Sequence, residues 1–308
     1  SLGLLQRGIR RPARVLLLAV CAFDLWRFAS PYNPTIPARF AAPATAGIRY
    51  LQEHAEGGRL LPIGGRLLPG NTLLRYELSD ARGGDWVNVR EYEYLVTGRT
   101  GDFDFGTRFD YTPRTIGALN VTHWVLPQGR HVPPGLEVVY DDEIVVVRAP
   151  GLPRAFVANE LRAVGSDAEA RKLIESGELD LRRTVIVPAQ DAGWFDVGFA
   201  GTARATVVRS LPNRVELDVG TVAAGILVLV DTWLPGWECE IDGRARPIVR
   251  ANLAFRAVPV GPGRHRVVFR YRPRGARLGG LLAAAALLGI ALGGAVPRFR
   301  DRATRRSR

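Results

Sequence analysis

Residues 231–275 read DTWLPGWECEIDGRARPIVRANLAFRAVPVGPGRHRVVFRYRPRG, and their alternation decides the fold. In an extended chain successive side chains point to opposite faces, so Trp237, Cys239 and Ile241 share one face of WECEID. Glu238, Glu240 and Asp242 share the other. Asp242-Gly243 is a two-residue hairpin signal, since both types tolerate the positive φ that such a turn demands. Leu253, Phe255 and Ala257, then Val267, Phe269 and Tyr271, supply matching apolar faces on the next long strands. Trp237, Cys239, Ile241, Phe255, Val267, Phe269 and Tyr271 are therefore expected in a core. Trp233 ends its strand beside the Pro235-Gly236 turn, where an aromatic either packs normally or is free to stack on a sugar or sit at a bilayer interface. It is the glycan or interface candidate.

Working outward, Ala203–Ser210 and Arg214–Gly220 flank LPN, and Ile226–Trp233 is the most apolar strand. With Trp237–Ile241, Ala245–Val249, Leu253–Val260 and His265–Arg272 these make seven short strands, the pattern of a β-sandwich over 161–273. One helix, Asp167–Ser176, precedes them. Residues 30–160 read as a mixed α/β subdomain: helices near 44–56, 87–96 and 113–119, strands at 59–63 and 121–126, and a hairpin around Asp141-Asp142.

Leu278–Val296 is nineteen residues without a charge, rich in Ala and Gly, and a basic tail follows at 298–308. That is the signature of a transmembrane helix over 274–297 with a cytoplasmic end. Ala13–Ala29 is more ambiguous, because Arg14, Asp24 and Arg27 interrupt it. It reads as a signal-peptide core or, in preference, as a span of a polytopic protein within 1–29. RGIRRPAR before it also marks a cytoplasmic side. The expected fold is thus two transmembrane helices flanking an extracytoplasmic mixed α/β subdomain and a β-sandwich. Its expected location is the cell membrane, multi-pass, with 30–273 outside, both ends cytoplasmic and the lipid bilayer as a partner.

The chain has 308 residues, no methionine, and begins at Ser1, so a processed form or a segment of a longer protein is expected. Of its 42 basic residues only Lys172 is lysine, a bias typical of a GC-rich genome. The net charge of +12 is concentrated at the two ends, leaving +3 on the long middle; a basic face on a folded domain, as nucleic acid requires, is not indicated. Cys21 and Cys239 are far apart, and no histidine lies near either in sequence, so neither a disulfide nor a zinc site is expected. Asp102-Phe103-Asp104 matches a D-x-D pattern whose carboxylates suit Mg²⁺ or Mn²⁺, but GDFDFG reads equally well as an exposed strand or loop. Asp102 and Asp104 are the metal candidates, and no cofactor is otherwise expected. His54, His123, His131 and His265 are scattered, and no Walker loop, G-x-S-x-G or G-x-G-x-x-G occurs.

The series DTWLPGWECEIDG, then RANLAFRAVPVGPGRHRVVFRYRP, resembles the C-terminal signature of YfhO-like bacterial membrane proteins. FDLWRFASPYNP, ALNVTHWVL and VVYDDEIVVVRAPGLPRAFV fit as well, whereas ARGGDW at 81–86 departs from the RGY-like run of that family. The resemblance implies a polytopic protein related to GT-C-type glycosyltransferases, which take sugar from a polyprenyl-phosphate carrier and glycosylate an envelope polymer. It also implies that the catalytic carboxylate lies in a loop upstream of this chain, packed with upstream transmembrane helices, so no catalytic residue is assigned here. Two functions are then in view. One is the cap and terminal helices of such an enzyme. The other is a non-catalytic, membrane-anchored β-sandwich that binds envelope glycan.

Overall fold

A computed structural model describes residues 11–32, 37, 40, 42–55, 57–64, 67–82, 89–97, 113–196, 201–273, 275–276 and 278–290. The chain divides into two compact units, 1–45 and 46–308. Among its described residues the first carries α1 (Arg11–Tyr32), whose Leu16, Leu18, Leu25, Trp26 and Phe28 are exposed.

The described residues of the second unit are built mainly from strands, in four sheets. After α2 (Ala46–His54) come β1 (Arg59–Pro62), β2 (Ser79–Asp80), α3 (Arg90–Thr97), α4 (Pro113–Ala118) and β3 (Val121–Pro127). The hairpin β4 (Glu137–Asp141) and β5 (Ile144–Arg148) completes a mixed sheet of order β2-β1-β3-β5-β4. Then follow β6 (Ala155–Ala158), β7 (Glu160–Val164), α5 (Asp167–Ser176) and β8 (Thr184–Pro188). Strands β7 and β8 are parallel, and α5 is their crossover. Ser166 caps α5 by accepting the Glu169 N–H at 3.2 Å, and Gly177 ends it in the left-handed conformation.

The rest is β9 (Ala203–Leu211), β10 (Arg214–Thr221), β11 (Gly225–Thr232), β12 (Trp237–Ile241), β13 (Arg244–Arg246), β14 (Val249–Ala251), β15 (Phe255–Val260) and β16 (Gly263–Tyr271). Two antiparallel sheets, β13-β12-β16-β10-β9 and β14-β15-β11-β6, face each other across Val215, Leu217, Leu229, Val258, Val267 and Phe269. The sequence pattern suggested a single strand at 245–249. Instead Pro247, which has no N–H to give a ladder, separates β13 on one sheet from β14 on the other. The sandwich also recruits β6, N-terminal to residue 161, as the neighbour of β11.

The second sheet is covered on both sides. Leu227 and Leu229 face the sandwich core, while Ile226, Val228 and Val230 face the core shared with the α/β sheets. A strand buried on both faces reads as a continuous apolar run, which is why ILVLV does not alternate. At the tip of the β12–β13 hairpin both Asp242 and Gly243 have positive φ, 50° and 78°.

The expected membrane architecture is corrected. No helix among the described residues is long and apolar enough to cross a membrane. Helix α1 has 22 residues, but Arg11, Arg14, Asp24 and Arg27 lie within it, and charge in a hydrocarbon core is costly. Residues 278–290 are helical. The two transmembrane helices over 1–29 and 274–297 are therefore overturned. So is the multi-pass cell-membrane location that placed 30–273 outside between cytoplasmic ends. The fold of the described residues is predominantly β-sheet.

Candidate functional site

Strand β11 carries Asp231 one residue before its end, and the carboxylate is met by three arginines from three other parts of the chain. Arg154, just before β6, forks onto it with Nε to Oδ1 at 3.1 Å and Nη2 to Oδ2 at 2.9 Å. Arg59 of β1 approaches at 3.4 Å and Arg256 of β15 at 3.3 Å. Asp231 is 14% exposed and Arg256 only 3%. Burial alone would raise the Asp231 carboxyl; the Arg154 hydrogen bond and the charges of Arg154, Arg59 and Arg256 outweigh it and hold the pKa below its ordinary value.

Arg256 is the most confined of the three. Burial pulls its guanidinium down to about 10 against the attraction of Asp231, and Arg154 and Arg59 add repulsion. Its Cζ lies 3.8 Å from the Trp237 ring centroid and 5.3 Å from that of Phe269. Its Nη1 has no hydrogen-bond partner among the described residues. Three cations on one carboxylate fasten β1, β6, β11 and β15 together and leave a local excess of positive charge.

That charge borders an open groove. Arg154 also donates to Ser210 Oγ at 3.0 Å, bridging the start of β6 to β9. Between them lies a depression of about 460 Å³, lined by Pro153, Arg154, Ala155, Thr206, Arg209 and Ser210 among others. Strand β9 is the last strand of its sheet, so one edge of its backbone takes no part in that sheet's ladder. Arg209 is 58% exposed and 3.7 Å from Glu216, a loose pairing that leaves its remaining N–H groups available. The groove therefore offers guanidinium and hydroxyl groups over a small apolar floor.

The residues singled out from sequence fall elsewhere. Asp102 and Asp104 lie outside the described residues. Among those described, no group of three or more His, Cys, Asp or Glu side chains could hold a metal ion. Trp233 is half-buried, its backbone N–H donating to Ala254 O at 2.7 Å, and it does not line the groove. Cys239, Ile241, Phe255, Val267 and Phe269 are buried, while Trp237 and Tyr271 are half-buried at the sandwich margin with ring centroids 5.3 Å apart. Cys239 sits where burial pushes its thiol up to about 12. His265 is tied through Nδ1 to Asp242 Oδ2 at 2.7 Å and through Nε2 to Gly261 O at 3.1 Å.

The Asp231 cluster was not found by reading the sequence. One signal was present: Arg256 interrupts AFRAVPV, a strand otherwise apolar enough to be fully buried. A charge at such a place requires a partner. Comparison with family models, with curated proteins and with solved structures finds no match for this chain.

Proposed function

We propose that this chain is a non-catalytic glycan-binding module of a glycosyl-transfer system, holding a carbohydrate polymer in the groove beside β9. The groove carries the proposal. It lies beside the Arg154–Ser210 bridge, and Arg154, Thr206, Arg209 and Ser210 are residue types that hydrogen-bond sugar hydroxyls. A planar guanidinium presents paired N–H donors, which suit vicinal hydroxyls as they suit carboxylates. The Asp231 network fixes Arg154 from behind, so binding costs little further ordering of that side chain.

The YfhO-like resemblance supports the wider context. In that setting the polymer is a cell-envelope glycan, the sugar comes from a polyprenyl-phosphate carrier, and the chemistry belongs to residues upstream. The module then keeps the acceptor close to the transfer site. A shallow polar groove binds weakly by itself, with Kd of about 0.1–1 mM, and gains from repeated contacts along a polymer.

The test is a glycan array probed with the chain and with Ser210→Trp, which fills the groove from its exposed wall. Retention of neutral or acidic oligosaccharides by the parent, lost in Ser210→Trp at unchanged melting temperature, is expected. Equal retention by both forms rejects the groove, and no retention by either rejects glycan binding.

A further inference from the structure

We propose that the outer face of the sandwich carries a phosphate clip, Arg204 and Arg264 closing across Gly220 on a dianionic phosphate monoester. This second site does not depend on the glycan assignment. Gly220 of β10 lies directly opposite Arg204 of β9 on one side and Arg264 of β16 on the other. Directly opposed residues of an antiparallel sheet point to the same face. That face is the outer one, because Asp218 on the same row parity is exposed while Val219 and Leu217 between are buried.

The glycine makes the space. Nothing lies within 4 Å of where a Gly220 Cβ would stand. The depression over it holds about 640 Å³ and is lined by Arg204, Thr206, Asp218, Arg264 and Arg266 among others. With strands about 4.8 Å apart, the flanking arginine Cα atoms are about 10 Å apart, a gap that two long guanidinium side chains close on one anion between them.

The charges select this row. Arg209, Arg214 and Arg266 all pair with Glu216, while Arg270 pairs with Glu240 and Arg272 with Glu238. Arg204 and Arg264 have no carboxylate partner among the described residues, and both are exposed. Two guanidinium forks offer four N–H donors and two positive charges. A phosphate monoester carries about −1.5 to −2 at pH 7 with three terminal oxygens, so it matches in both respects, whereas a diester carries a single charge. Asp218 sits one outward step along β10 and opposes any anion that extends that way, so a compact dianion is favoured over a polyanion.

Calorimetric titration of the chain with inorganic phosphate, glucose 1-phosphate and dimethyl phosphate tests the clip. Saturable binding of the first two, with dimethyl phosphate at least tenfold weaker, supports it. Arg204→Gln and Arg264→Gln should each weaken binding at least tenfold. Gly220→Val keeps both charges, fills the floor at a position open enough to accept it, and should weaken binding as much. Melting curves of all three variants are expected to match the parent. Glucose 1-phosphate binding at least threefold tighter than inorganic phosphate assigns a sugar-borne phosphate; equal binding assigns the free ion, and either supports the clip. No saturable binding overturns it, as does equal affinity for the diester or an unchanged affinity in the Arg204→Gln/Arg264→Gln double variant.

Discussion

Arg256 is sandwiched between unlike neighbours: its Cζ stands 3.8 Å from the Trp237 ring centroid, while its Nη2 lies 3.3 Å from the Asp231 carboxylate. A buried cation is tolerated where a carboxylate neutralises it and an aromatic face replaces lost water. Here both conditions hold, and Trp237 is better described as the cover of a buried arginine than as a residue of the sandwich interior.

Removing the carboxylate should therefore be costly. Asp231→Ala leaves Arg59, Arg154 and Arg256 facing one another, with an expected loss of about 3–5 kcal/mol in chemical denaturation. Arg256→Met keeps the volume, retains the Arg154 fork on Asp231 and removes an unpaired buried Nη1, so its loss should stay below about 1.5 kcal/mol. Equal losses would show that the three arginines do not share one carboxylate.

Trp237→Ala strips the cover from Arg256 at a half-buried position, so about 2–3 kcal/mol is expected, below the range for a fully enclosed tryptophan. Trp237→Phe keeps an aromatic face and should recover more than half of the loss. Failure of phenylalanine to recover more than leucine at the same position would mean that the ring acts by volume alone.

The His265–Asp242 pair ties the β12–β13 turn to the GPG turn and makes stability pH-dependent. The Asp242 hydrogen bond, opposed by burial, raises the His265 pKa above 6.5. Its stabilisation is thus complete below about pH 6.5 and fades as pH rises through the folded-state value. Asp242 is shifted down, chiefly by the same bond, so its contribution is present above about pH 4 and is lost as pH falls through the lowered value. The melting-temperature difference between the parent and His265→Gln should be greatest near pH 5–6 and shrink by pH 8. A difference that grows with pH would reverse the sign assigned to this pair.

Thiol reactivity should split the two cysteines. Cys21 is exposed, whereas Cys239 is buried with its thiol pushed up to about 12. At pH 7.5 one equivalent of a maleimide is expected to react with the native chain and a second only across the unfolding transition. Rapid uptake of two equivalents by the native chain would contradict the enclosed position of Cys239.

Local patterns carried well from sequence to structure. Helix α5 runs Asp167–Ser176 in both because a serine cap and a trailing glycine fix its ends. The Asp242-Gly243 hairpin follows from backbone chemistry that two residues decide. The hydropathy of 278–296 suggested a membrane span, and no helix among the described residues is long and apolar enough to make one. The Asp231 cluster was hidden for another reason. Residues 59, 231 and 256 come from separate strands and 154 from the residue before β6, and only sheet order brings them together. The groove and the Gly220 depression likewise depend on cross-strand register, which no single stretch of chain encodes.

The most direct test of glycan binding is amide chemical-shift mapping during titration of the chain with oligosaccharides that the array retains. Saturable shifts confined to residues 153–155 and 205–210, and abolished in Ser210→Trp, are expected. Shifts that do not saturate, or that cluster away from β9 and Arg154, would contradict the assignment.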